Sequence, residues 1–313
     1  MRIAILDDYQ NVALSLADWD SLDAEVHVFT DAFENEGAAV AALVEYEVVV
    51  AMRERTPFPS RTLNKLPRLK LLVTTGPVNA AIDLDAAHRL GITVCGTGYF
   101  SHPTVELTWG LILSAARLIP QQVDAVRRGR WQEGLGVSLR GATLGVLGLG
   151  RLGTAVAELG RAFGMETIAW SQNLTPADAQ AKGTAYVSRD ELFTRSDVLS
   201  IHVVLSERTR GLVGARELSL MKSTAILVNT SRGPVVDEAA LLGALAEKKI
   251  GSAALDVFDR EPLPIDHPLR SLDNVVVTPH IGYVSRDLYE VFYRDALEDI
   301  AAWGAGTPVR VLS

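Results

Sequence analysis

The sequence predicts an α/β protein of two lobes, each a parallel sheet packed between helices, and three observations predict it. Short β-branched runs alternate with stretches of helical period along most of the 313 residues. The runs are continuously apolar where strands with one wet face would alternate, so they read as strands buried on both faces. A chain of this length also exceeds one average core and suits two domains. With 48% apolar and 22% charged residues, its composition is that of a globular protein and far from that of a disordered chain.

In the first lobe the strand runs are Arg2 to Leu6, Glu25 to Phe29, Glu47 to Ala51, Leu69 to Val73 and Ile92 to Val94. A helical stretch from about Thr104 to Arg128 follows, in which Val105, Leu107, Leu111, Ile112, Ala115 and Leu118 recur at helical spacing. It reads as the bridge between lobes. The second lobe opens with the apolar run after Ala142 and continues with runs at Thr167 to Trp170, Val198 to Ile201, Ala225 to Val228, Ala253 to Leu255 and Val275 to Val277. Ser188 and Glu191 have the spacing of a capping box, and Asp237-Glu238 places acids in a first helical turn, where the helix dipole favours them. A last helical stretch, Ser285 to Trp303, is expected to return to the first lobe. The expected domains are therefore residues 1–102 with 285–313, and residues 103–284.

The charge balance excludes some functions. Thirty basic against 38 acidic side chains leave a net charge of -8, with no electrostatic footprint for nucleic acid. The basic run Arg127-Arg128-Gly129-Arg130 is short and reads as a solvated helix end. The opening apolar run turns acidic at Asp7-Asp8, too soon for a signal peptide or a spanning helix, so no membrane association is expected. Cys95 is the only cysteine, so an internal disulfide is impossible and a reducing, cytoplasmic compartment is the expectation. Cys95 itself reads as a small buried apolar residue. No Cys or His cluster has ligand spacing, and no metal is called for.

The first chemical motif is Gly148-Leu149-Gly150-Arg151-Leu152-Gly153, between a strand run and the helical stretch Leu152 to Phe163. Glycines at this spacing allow a tight turn, close approach of the backbone to a pyrophosphate, and close helix packing, while the helix N-terminus offers N–H donors and its dipole. The strand and helix that the motif requires flank it, which makes dinucleotide binding the reading. The next strand ends in Ala169-Trp170-Ser171-Gln172-Asn173, without the acid that would bind a ribose 2′-hydroxyl and repel a 2′-phosphate. NADP is therefore permitted near Ser171 and Asn173 and is favoured over NAD, although no Arg or Lys sits in that turn unless Arg151 reaches across.

Three further segments end strand runs with chemically capable residues. They are Asn229-Thr230-Ser231-Arg232-Gly233, then Asp256-Val257-Phe258-Asp259-Arg260-Glu261, then Thr278-Pro279-His280-Ile281-Gly282. Ligands of open α/β sheets collect beyond the carboxyl ends of the strands, so the three can share one crevice. Arg offers a planar fork matched to a carboxylate. His exchanges protons near neutrality, and a carboxylate beside it favours the imidazolium form.

These segments, in this order behind the glycine loop, resemble the D-isomer-specific 2-hydroxyacid dehydrogenase family over nearly the whole chain. The resemblance implies two Rossmann-like domains, a flavodoxin-like substrate domain and an NAD(P)-binding Rossmann domain, with the active site in the cleft between them. It implies reversible hydride transfer to a small 2-oxo acid of the glyoxylate or hydroxypyruvate kind. In the roles that it implies, Arg232 holds the oxo acid, His280 exchanges the proton at the C2 oxygen, Glu261 orients His280, and Asp256 sits near the nicotinamide carboxamide. It extends the cofactor lining from Gly148, Gly150, Arg151, Leu152, Gly153, Ser171 and Asn173 through His202, Val203, Thr230 and Gly282.

In the first lobe, Gly76-Pro77-Val78-Asn79 resembles the loop whose backbone N–H groups hold the substrate carboxylate. Pro77 removes one donor, shifting the contact to Val78 or Asn79. Arg53 resembles a further substrate contact, although an arginine exposed to solvent is its plainer reading. Val204 stands where the family often has Pro. A homodimer is expected by resemblance. Two alternatives stay open, a 3-phosphoglycerate dehydrogenase-like enzyme and a non-catalytic NAD(H)-sensing corepressor of the same family.

Overall fold

The computed structural model describes residues 1–313, which divide into two compact units, Met1–Phe100 with Val284–Ser313, and Ser101–Tyr283. The first unit holds a five-stranded sheet of β1 (Arg2–Ile5), β2 (Glu25–Val28), β3 (Val48–Ala51), β4 (Leu71–Thr74) and β5 (Thr93–Gly96). All of its pairings are parallel and its order is β2-β1-β3-β4-β5, the flavodoxin-like arrangement. Continuous burial of Ile3 to Leu6, Val48 to Ala51 and Leu71 to Val73 explains why these strands lack polar alternation. The helix Arg286–Gly304 belongs to this unit, and it buries Leu288, Phe292, Ala296 and Ile300 at four-residue steps along one face.

The second unit carries a seven-stranded parallel sheet of β6 (Thr143–Leu147), β7 (Glu166–Trp170), β8 (Ala185–Tyr186), β9 (Val198–Ile201), β10 (Ile226–Asn229), β11 (Ser252–Leu255) and β12 (Val275–Val277). The order β8-β7-β6-β9-β10-β11-β12 is the Rossmann order with one strand added. It reverses direction between β6 and β9, and the glycine loop follows β6 at that switch point. One core packs Leu147, Ile168, Leu199, Ile201, Leu227 and Leu255. The capping box at Ser188 and Glu191 is formed. No helix is long and apolar enough to cross a membrane.

Two features differ from the sequence expectation. β8 was not anticipated, because two exposed residues at a sheet edge leave no apolar run to detect. The stretch from Thr104 to Arg128 is not one helix but two, His102–Ala116 and Ile119–Arg127, with Leu118 left-handed at φ 53° between them. Pro120 is the cause, since its ring excludes the carbonyl of Ala116 and its nitrogen has no hydrogen to donate. That carbonyl accepts instead from Val137 N at 2.7 Å.

Candidate active site

The glycine loop is shaped by close backbone contacts. Gly148 has φ +99°, and a Cβ there would stand 2.8 Å from the His202 carbonyl oxygen and from Val203 Cγ1. A Cβ on Gly153 would stand 2.1 Å from the Gly148 carbonyl oxygen, so this glycine seats the helix Arg151–Ala162 against its own loop. Gly150 faces open space, and no side chain caps the helix that it starts. Uncapped first-turn N–H groups beside a groove fit a pyrophosphate. The groove, of about 400 Å³, is bordered by Gly148, Gly150, Ser171, Asn173 and Val203. Arg151 stands exposed at the head of the helix, while Leu152 packs partly into the core beneath.

His202 follows β9 with its Nε2 2.8 Å from Ser200 Oγ, and burial pushes its pKa down to about 4. At neutral pH it is an uncharged imidazole. Thr230 is buried with its hydroxyl 2.8 Å from that of Thr108, which turns its side chain toward the helix His102–Ala116. Its hydroxyl is therefore committed within the unit.

The chemical residues meet at the ends of β10, β11 and β12. His280 Nδ1 lies 2.5 Å from Glu261 Oε2, and Glu261 Oε1 accepts from Phe258 N at 2.9 Å, so both carboxylate oxygens are committed. Burial alone would raise the Glu261 carboxyl, but the hydrogen bond and charge of His280, with help from Phe258 N and the Arg232 charge, hold it below its ordinary value. Arg232 extends from the end of β10, its Nη1 donating to Ser231 O at 2.7 Å. The next residue must be glycine. A Cβ on Gly233 would stand 2.0 Å from the Phe258 carbonyl carbon, so its absence lets the Arg232 and Glu261 segments lie against each other.

Asp256 organises the turn that carries His280. Its Oδ1 accepts from Thr278 Oγ1 at 2.6 Å and from Ile281 N at 2.8 Å, and its Oδ2 accepts from Gly282 N at 2.8 Å. Burial pushes its carboxyl up, against these bonds and the His280 charge. His280 adopts φ 54°, a left-handed conformation that costs energy for a residue with a side chain, and the Asp256 bonds bracket it on both sides. Gly282 O accepts from Thr104 Oγ1 at 2.8 Å, tying the turn to the helix His102–Ala116. With Nδ1 engaged by Glu261, the remaining nitrogen, Nε2, is the one able to exchange a proton with a bound acid.

In the first unit, Gly76 has φ +95°, and its N–H donates to Thr97 Oγ1 at 2.7 Å, which removes it from the donors expected for a substrate. Asn79 is buried, its Nδ2 donating to Arg53 O at 2.6 Å and Thr74 Oγ1 at 2.8 Å, so its side chain braces the loop. Val78 stands 67% exposed. Arg53 is not the solvated arginine of its plainer reading. Its side chain is only 14% exposed, its Nη1 donates to Thr75 O at 3.2 Å, and its guanidinium lies 5.2 Å from the Tyr99 ring centre.

Residues 109–282 match the sequence pattern of the D-isomer specific 2-hydroxyacid dehydrogenase, NAD binding domain. The chain belongs to this family. A member of it is an NAD-dependent oxidoreductase of 2-hydroxy acids. The dehydrogenase is 44% identical over 254 residues to the glyoxylate reductase of Aeropyrum pernix, covering 78% of this chain and 76% of that one. It is 34% identical over 313 residues to the D-3-phosphoglycerate dehydrogenase of Archaeoglobus fulgidus, covering 99% of this chain but 58% of that longer one. Among solved structures, a phosphoglycerate oxidoreductase from Vibrio cholerae superposes with a TM-score of 0.93 at 38% identity, covering 98% of this chain and 99% of that one.

The structure of the dehydrogenase also adds residues that the sequence reading left out. Lys182 and Arg208 border the same groove as Ser171, though they are distant from it in the chain. No local pattern marks either. Thr108 and Phe258 N are likewise visible only through the partners that they hold.

Proposed function

We propose that this dehydrogenase interconverts small 2-oxo acids, of the glyoxylate and hydroxypyruvate kind, with their D-2-hydroxy acids. The observation that carries the reading is the Glu261-oriented His280 at the strand ends, with Arg232 next to Gly233, which packs against the segment that holds Glu261. When bound, the nicotinamide supplies or accepts the hydride at C2. Arg232 binds the oxo acid through its planar fork. His280, protonated, donates from Nε2 to the C2 oxygen during reduction and takes the proton back during oxidation. Glu261 holds the imidazole by Nδ1. In the first unit, the Val78 and Asn79 N–H groups serve the substrate carboxylate, with Arg53 as a neighbouring cation.

A 3-phosphoglycerate-like substrate is the second reading, favoured by Arg53, which follows β3, packs against Gly76 and shares its charge with Glu54 at 3.8 Å. A complete His280–Glu261 pair argues for turnover and against a purely sensing role. The missing acid after β7 favours NADP over NAD. The exposed apolar side chains Ile119, Val123, Val126, Trp131, Leu135 and Val137 favour a homodimer formed through the second unit. A reducing cytoplasm suits the lone Cys95, whose thiol is buried and pushed up to about 12 by that burial and the nearby Asp299 charge.

Initial rates for a panel of 2-oxo acids with NADPH and NADH test the substrate class, and absence of turnover with every acid would remove the enzymatic reading. Arg232→Lys tests the site. It should lower kcat/KM for the oxo acid about ten- to a hundredfold by loss of the fork, while the Kd for NAD(P)H is nearly unchanged. A collapse of cofactor affinity with substrate turnover intact would reassign Arg232.

A further inference from the structure

The loop after β7 offers a 2′-phosphate no fixed negative charge, yet by itself it offers no positive charge either. The fold supplies the missing charge from two other places. Lys182 follows the helix Pro176–Ala181, and its Nζ donates to Leu149 O at 2.8 Å, which fixes the ammonium against the glycine loop. Arg208 belongs to the loop after β9, is exposed and makes no ion pair. Its loop is nevertheless held. Thr209 Oγ1 donates to Val204 O at 2.6 Å and accepts from Ser206 N at 2.8 Å, so the turn that presents Arg208 is braced where the family often places a proline.

Both cations border the groove with Ser171 and Asn173. The acid among the lining residues is Asp178, whose Oδ2 already accepts from Thr175 Oγ1 at 2.6 Å. Two cations against one hydrogen-bonded carboxylate leave the groove net positive where an adenosine ribose would lie.

We propose that Arg208, assisted by Lys182, is the specificity-determining residue that recognises the 2′-phosphate of NADP(H) in this groove. The proposal rests on the reading that the groove binds the adenosine half of a dinucleotide. Arg208 is the selective member because its guanidinium is uncommitted and can pair two donors with two phosphate oxygens. Lys182, tethered to Leu149, adds a fixed point charge.

The test uses fragments without nicotinamide, so that binding is read apart from turnover. Calorimetry with the full-length protein compares 2′,5′-ADP with 5′-AMP, in wild type, Arg208→Ala and Arg208→Lys. Wild type should bind 2′,5′-ADP about ten- to a hundredfold tighter than 5′-AMP, the range of a charged hydrogen-bonded contact. Arg208→Ala should bring the two affinities close together by weakening 2′,5′-ADP alone, and Arg208→Lys should keep part of the preference. Thermal denaturation should show the exposed substitutions to be neutral for stability. A wild-type preference that persists in Arg208→Ala overturns the assignment to Arg208 and leaves the NADP reading standing. Equal weakening of both fragments overturns it as well, because Arg208 would then bind the shared adenosine phosphate. No preference in wild type, with 5′-AMP bound, overturns the NADP reading together with the role of Arg208. Failure of both fragments to bind removes the adenosine reading of the groove, on which the proposal stands.

Discussion

Both units place a glycine loop at the end of a buried parallel strand, but the glycines are needed for different reasons. In the second unit, Gly148 and Gly153 clear space for backbone, with a carbonyl oxygen 2.8 Å and 2.1 Å from the added Cβ. In the first unit, Gly76 clears space for a side chain, since the atom 1.9 Å from its added Cβ is Arg53 Nη1. A backbone atom within a packed loop cannot retreat without moving the strand or helix behind it, whereas the end of an arginine can rotate. The second-unit loop is therefore rigidly specified, and the first-unit loop is specified through one replaceable partner. The proposed chemistry follows the same division, since both His280 and Glu261 lie on the second unit.

The largest expected effect tests that division. His280→Ala should lower kcat by about two to four orders of magnitude in both reaction directions, the range for losing a positioned acid or base. Arg53→Ala should act mainly on KM for the acid. Steady-state rates at saturating cofactor separate the two, and a kcat loss of equal size in both variants would place chemistry on the first unit as well.

The glycines themselves give the next effect. Gly153→Ala should destabilise the protein by about 1–3 kcal/mol through overpacking that no single neighbour can relieve. Gly76→Ala should also destabilise, from its clash and from its φ of +95°, but adding Arg53→Ala should recover the clash component. Denaturant midpoints of the single and double variants measure the coupling. Strict additivity would show that Arg53 already moves freely and would erase the contrast between the loops.

The smallest effect concerns pH. Because the Glu261 carboxyl is held below its ordinary value of 4.5, its pairing with His280 contributes stability that is fully present above that value and is lost as pH falls through the lower folded value. Wild type should accordingly be more stable than Glu261→Gln by a margin that shrinks as pH falls below about 4.5. The margin is modest because the Glu261 side chain is 31% exposed and solvent screens the pair. Thermal midpoints from pH 7 to pH 3 provide the check, and parallel curves would mean that the pair carries no net proton linkage.

Sequence by itself determined the two parallel sheets, because strands buried on both faces must be apolar at every position, as Val48 to Ala51 and Leu71 to Val73 are. It also marked Gly148 and Gly153 by the spacing of the glycine loop, and Arg232, Glu261 and His280 as chemically capable residues at strand ends whose roles the family resemblance implied. Pro120 marks the break at Leu118, which the helical period on either side masked, whereas β8 leaves no mark because it has only two residues at an edge. Tertiary structure alone decided which groups each marked residue meets. Gly76 N–H is taken by Thr97, Asp256 braces the His280 turn, Arg53 lies over Gly76, and Lys182 and Arg208 reach the groove beside Ser171. The physical reason is the range of each signal. Periodicity and turn chemistry act over a few residues and leave their mark in order along the chain. Contacts between strand ends join segments tens of residues apart and depend on which strand lies beside which, and no local pattern encodes that order.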